Sequence, residues 1–128
     1  MRSIALMLLL TACAPSWQEL RDSDVTERWQ VEGTYLGVAG CSLRALEANA
    51  STVQYRLIDE PAARAARISA AAMAVWFIYP RYEISFRQAD SRLVAVEIRE
   101  RWTIQGNLYA QATRPVTEHC AKSTTKSP

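Results

Sequence analysis

A single histidine and four glycines in 128 residues leave this chain short of the parts from which most active sites are built. One imidazole is too few for a metal site beside three cysteines, because zinc sites draw on sets of His and Cys ligands. Four glycines do not form a phosphate-cradling loop, and no Gly-x-Ser-x-Gly turn is present to expose a nucleophile. His119 would need a nucleophile and an orienting group placed around it to act as a base, so it reads as a surface residue. Charge of one sign is also missing: 15 Lys and Arg face 13 Asp and Glu, a net of +2, and no basic face points to nucleic acid. No internal repeat is visible. The expectation is a non-enzyme that carries no cofactor and no metal.

What is present begins at the N-terminus. Met1 to Ser3 give a brief positive start, Ile4 to Leu10 an unbroken apolar run, and Thr11-Ala12 two small residues before Cys13. Seven apolar residues fall far short of the roughly 20 that span a bilayer, so the run fits a cleaved signal. Leu10-Thr11-Ala12-Cys13 resembles the lipobox of bacterial lipoprotein precursors, a likeness that covers only about the first tenth of the chain. It implies that the Cys13 thiol takes a diacylglyceryl group, that the chain is cut after Ala12, and that the new amino group is acylated. Two or three chains, each buried methylene adding roughly 0.8 kcal/mol, hold a small domain on a membrane that it does not span. Ala14, in place of the Asp typical of inner-membrane retention, points to the outer membrane, facing the periplasm. Val38-Ala39-Gly40-Cys41 spells a similar tetrapeptide, but Glu27, Arg28 and Glu32 precede it where an apolar run is required.

About 115 residues remain after cleavage, enough for one domain. With Cys13 given to lipid, Cys41 and Cys120 are left as a pair in an oxidising compartment. A disulfide is the natural reading, with two free thiols or a metal pair as the alternatives. Closing a loop of roughly 80 residues would stabilise the fold by about 4 kcal/mol on the chain-entropy account.

Residues 1–12 are thus read as signal peptide, 13–30 as a lipidated tether, 31–120 as the domain and 121–128 as a polar tail. The tether is rich in charge, from Glu19 to Arg28. Within it, Ser16 and Glu19 have the spacing of a capping box for a short helix, and Trp17 could rest at the headgroup level. Val31 to Leu36 reads as extended, Gly37 as a turn, and Val38 to Asn49 as the main helix, with Ala39, Leu43, Leu46 and Ala50 at helical spacing. Thr52 to Ile58 alternates as a half-buried strand. Residues 62–74 are ambiguous: the alanines favour helix, so Pro61 to about Met73 reads as helical or irregular, with an alanine-rich strand from Ile68 as the rival. Val75 onward reads as extended.

Arg81 to Thr113 is the best-patterned stretch. Tyr82, Ile84 and Phe86 alternate with polar residues, as do Val94, Val96 and Ile98, around a loop at Asp90-Ser91-Arg92. Placing Glu83 opposite Arg99 and Phe86 opposite Val96 avoids setting Glu83 against Glu97, which settles the hairpin register. Gly106-Asn107 then suggests a second turn leading to a strand from Leu108 to Thr113, ended by Pro115. The assembled expectation is an α+β fold: one main helix on an antiparallel sheet of about four strands, tied to the C-terminal segment through Cys41 and Cys120.

Two clusters remain as candidate sites. Glu97, Arg99, Glu100 and Arg101 form a charge-dense run, but alternation sends Glu100 to the other face, as on a solvated sheet. Trp76, Tyr79, Tyr82, Trp102 and Tyr109 could line a ligand groove or a partner surface, although core packing is the commoner fate of such residues. The functional expectation is a small envelope lipoprotein, held to the membrane by its lipid, acting as a non-enzymatic binding or assembly module for a protein partner. Its alternatives are an accessory lipoprotein of a secretion or conjugation apparatus and an inhibitor of an envelope hydrolase.

Overall fold

The structure, a computed structural model, describes residues 16–49, 52–73, 78–101 and 108–125. In chain order the elements are α1 Trp17–Asp22, β1 Glu27–Glu32, α2 Tyr35–Asn49, β2 Val53–Glu60, a 3-10 turn Pro61–Ala63, β3 Ala65–Met73, β4 Ile78–Gln88, β5 Leu93–Glu100 and α3 Leu108–Thr125. The strands form one sheet in the order β1-β5-β4-β3-β2, and every neighbouring pair is antiparallel. The α+β class therefore holds, with five strands among the described residues rather than about four and with two long helices there rather than one.

Alternation decides which side of the sheet is packed. Trp29 and Val31 of β1, Val94, Val96 and Ile98 of β5, Tyr82, Ile84 and Phe86 of β4, and Ile68 of β3 are all buried, and register joins them across the strands. They meet Val38, Ala39 and Leu46 of α2 and Ala110, Cys120 and Ala121 of α3. Side chains the size of Ile84 or Phe86, both fully buried, contribute roughly 1.5–3 kcal/mol each.

The β4–β5 hairpin has the register argued from charge, with Glu83 facing Arg99 and Phe86 facing Val96. Its loop is fixed by Asp90, whose Oδ1 accepts the N–H groups of Arg92 and Leu93, both at 2.8 Å. Those two bonds hold the Asp90 carboxyl below its ordinary pKa.

The 3-10 turn at Pro61 is followed directly by a strand, so the helical or irregular reading of residues 61–73 gives way to the alanine-rich strand. β3 pairs over Ala65–Ala72 with β2 on one side and over Ala65–Met73 with β4 on the other, and two ladders outweigh the helix preference of alanine. The small side chains have a use there. Ala66, Ala70 and Ala72 are buried on the side over which α2 packs.

The expected tether is corrected. Ser16 caps α1, its hydroxyl accepting the Glu19 N–H at 3.1 Å, and Leu20 is buried. β1 then starts at Glu27 and pairs with β5, so 17–32 belong to the domain. The turn falls at Gly33 rather than Gly37, which lies inside α2. Gly33 has φ 138°, a value that strains any side chain, and its N–H reaches the Arg92 carbonyl at 2.8 Å.

The expected third strand and polar tail are corrected as well. Residues 108–125 form one helix, and its buried stripe is Ala110, Thr113, Thr117, Cys120 and Ala121. That spacing is helical, but two threonines kept it from looking apolar. Pro115 sits inside α3 on its exposed side, where it withholds one N–H without ending the helix. The Glu100 carboxylate caps the other end, accepting the Tyr109 N–H at 3.2 Å and the Ala110 N–H at 2.8 Å. Cys41 of α2 and Cys120 of α3 are bonded, with Cα atoms 5.7 Å apart. The expected disulfide therefore links the two helices that cover the sheet.

Candidate functional surfaces

The register of β3 against β4 shifts between Ala70 and Ala71, because Tyr82 faces Ala70 while Pro80 faces Ala71. Arg81 is the extra residue of this bulge, and a bulge re-aims side chains. Here it gathers Tyr79, Arg81 and Tyr82 with Tyr109 of α3. The Arg81 guanidinium donates to the Tyr109 hydroxyl at 2.6 Å and to the Tyr79 hydroxyl at 2.9 Å. Tyr82 stacks on Tyr109 with centroids 4.6 Å apart, and its hydroxyl lies 3.2 Å from that of Tyr55.

Burial works against the Arg81 charge, but the phenols of Tyr109 and Tyr79 outweigh it and hold its pKa above the ordinary value. Burial also pushes the Tyr82 phenol upward, with the contact to Tyr55 adding to the effect. Tyr82 is therefore a neutral core residue. Of the five aromatic candidates the structure brings together Tyr79, Tyr82 and Tyr109, with Tyr55 added. Trp76 and Trp102 lie outside the described residues.

The opposite side of the sheet has a different character. Among the described residues neither α2 nor α3 covers it, and only α1 crosses part of it. Under α1 the Glu83 carboxylate is nearly excluded from solvent, at 4% exposure. It receives Arg21 at 3.3 Å, Arg67 at 3.6 Å and the Ser69 hydroxyl at 3.1 Å. A buried carboxylate demands such partners, since an unpaired charge there would cost several kcal/mol. Arg67 also meets Glu60 at 2.7 Å. On the outer strands Arg28 pairs with Glu97 at 3.2 Å, and Arg99 reaches the same carboxylate at 3.6 Å. Glu100 points the other way, to α3, so the charge run at residues 97–101 divides between the two faces as alternation requires.

Beyond α1 no other described element covers this face. A shallow trough over Ser85 and the small Ala65 and Ala95 is edged by Arg67, Arg87 and Glu97. A larger groove of about 640 Å³ lies between Trp17 and Arg21 of α1 and Gln54, Arg56 and Ile58 of the edge strand β2. Arg56 and Arg87 are exposed and, among the described residues, contribute unpaired guanidinium groups, the donors best suited to planar recognition of a carboxylate. Both sit at the polar positions of alternating strands. The same alternation that marks the core marks them, but polar positions carry no further label that separates a partner surface from plain solvation.

His119 is exposed on α3. Cys13 lies outside the described residues. Among the described residues no group of His, Cys, Asp and Glu is arranged to hold a metal, and no helix is long and apolar enough to cross a membrane. The chain matches no protein-family model, and neither a curated protein nor a solved structure matches it.

Proposed function

We propose that this chain is a small lipid-anchored envelope protein, a non-enzymatic binding or assembly module that faces the periplasm from the outer membrane and engages a protein partner through the open face of its sheet. The observation that carries the partner surface is the uneven covering of the sheet. Two helices tied by a disulfide seal one side, while the other presents a trough of small residues edged by Arg87, Arg67 and Glu97. A face with small side chains at its centre and the exposed guanidinium groups of Arg87 and, on the neighbouring strand edge, Arg56 fits an acidic protein surface, with charge pairing that steers association. The anchor rests on the likeness of Leu10-Thr11-Ala12-Cys13 to a lipobox, and the bonded Cys41–Cys120 pair suits an oxidising compartment.

The test has two arms. Cys13→Ser gives an unprocessed precursor that takes up no fatty-acid label, and labelling that persists overturns the anchor. A photo-crosslinking side chain at position 87, in intact membranes, captures one recurrent partner, and the yield falls when Arg56 is replaced by Glu in the same chain. Equal capture from position 87 and from His119, on the helix side, overturns the open-face reading.

A further inference from the structure

The proposed lipid anchor and the first described element are too close in sequence for a free tether. Cys13 and Ser16 are three residues apart, which allows at most about 11 Å of fully extended chain, and Ser16 is the cap of α1. A tether running to residue 30 would have allowed roughly 60 Å. A domain held this closely cannot tumble clear of the bilayer. One end of it must face the lipid, and the position of Ser16 says which.

Ser16 and Leu20 line a small cavity with Pro80 at the start of β4 and with Glu100 and Arg101 at the end of β5. The same end of the sheet holds Ile78 at 59% exposure and Leu108, the first residue of α3, at 44%. These are two of the three large exposed apolar side chains among the described residues. The third, Leu36, lies near the start of α2, at the other end. Partly buried Trp17 and exposed Arg101 belong to the lipid-proximal end too. An aromatic ring, two aliphatic side chains and an arginine whose stem can lie along the apolar surface form the set found where proteins rest in the headgroup layer.

We propose that this end of the domain, marked by Trp17, Ile78, Leu108 and Arg101, sits on the phospholipid surface, so that the strands stand away from the membrane and the β4–β5 loop projects outward. β4 runs eleven residues from Ile78 to Gln88, about 36 Å at the rise of a strand. The Asp90–Arg92 loop is therefore far from the lipid, and the open sheet face is held side-on to it. The orientation rests on the anchored reading above, and the experiment separates the two.

The full lipidated protein, its disulfide intact, is placed in vesicles of phosphatidylethanolamine and phosphatidylglycerol that carry a nitroxide on the headgroup. A fluorophore is attached at Gln18→Cys or Ala112→Cys near the proposed contact, or at Ala63→Cys or Ser91→Cys at the far end. Quenching severalfold stronger at 18 and 112 than at 63 and 91 is expected, and the joint substitution Ile78→Glu and Leu108→Glu should erase the difference. Equal quenching at all four sites, in protein whose intact mass shows lipid on Cys13, overturns the orientation. A gradient that survives the double substitution overturns the role of Ile78 and Leu108. An intact mass without that lipid overturns the anchored reading instead.

Discussion

The indole N–H of Trp29 donates to the Thr117 hydroxyl over 2.8 Å in the core, and 88 positions of sequence separate the two. One bond thus ties the first strand to the last helix. Thr117 passes the contact on, donating to the Arg114 carbonyl at 2.9 Å. Thr117→Val keeps the shape and leaves a buried indole N–H unsatisfied, which should cost ~1–3 kcal/mol. Urea unfolding measures it. Adding Trp29→Phe removes the stranded donor, so the double variant should lose less than the two single losses added together.

Cys41 and Cys120 close a loop with a sequence separation of 79. Cys41→Ala with Cys120→Ala should lower stability by about 4 kcal/mol through the freedom regained by the unfolded chain. Thermal unfolding with and without reductant reads the same quantity, and the double variant should no longer respond to reductant.

Glu83 is held by Arg21 and Arg67 together. Glu83→Ala leaves two guanidinium groups facing each other under α1 and should cost about 3–5 kcal/mol. Arg21→Ala removes the more exposed partner, at 34% exposure against 24% for Arg67, and should cost much less. A double-mutant cycle between positions 67 and 83 isolates their pairwise energy.

Glu100 should leave a mark on the pH dependence. Burial raises its pKa above the ordinary 4.5, with Glu27 adding to the rise, against the lowering effect of the Ala110 and Tyr109 N–H groups. The folded state then holds this proton to higher pH than the unfolded state does. Its contribution is complete below the unfolded pKa and is lost as pH rises through the folded one. Denaturation midpoints measured from pH 4 upward should show that decline in the native protein, and Glu100→Gln should flatten it.

How much was legible in the sequence depends on what each signal competes with. The β4–β5 register followed from where Glu83 could not sit, although in the fold Glu83 is bonded to Arg21 and Arg67 while Arg99 turns to Glu97 and the Ser23 carbonyl. Like-charge avoidance chose correctly without the expected attraction being the bond that forms. α2 was readable because Ala39, Leu43 and Leu46 share a stripe. β3 was not, because alanine states a local preference that only two flanking strands overrule. α3 is hidden in the sequence for the opposite reason. Tyr109, Gln111 and Thr113 alternate by accident, and the stripe beneath them is made of Ala, Thr and Cys, whose burial shows only once a neighbouring helix is in place. At the surfaces, Tyr79, Tyr82 and Tyr109 were noticed as a group, but Arg81, which joins them, depends on a bulge that no residue pattern announces.

The sheet order has a temporal corollary. Among the described strands β1 comes first in the chain, yet it pairs with β5 alone, which comes last. As the polypeptide is delivered N-terminus first, Glu27–Glu32 must wait unpaired until Leu93–Glu100 emerges. Closing that contact requires a long loop to be ordered, so the step should be slow and late. The waiting strand, with Trp29 and Val31 bare, is then the segment a chaperone would have to shield.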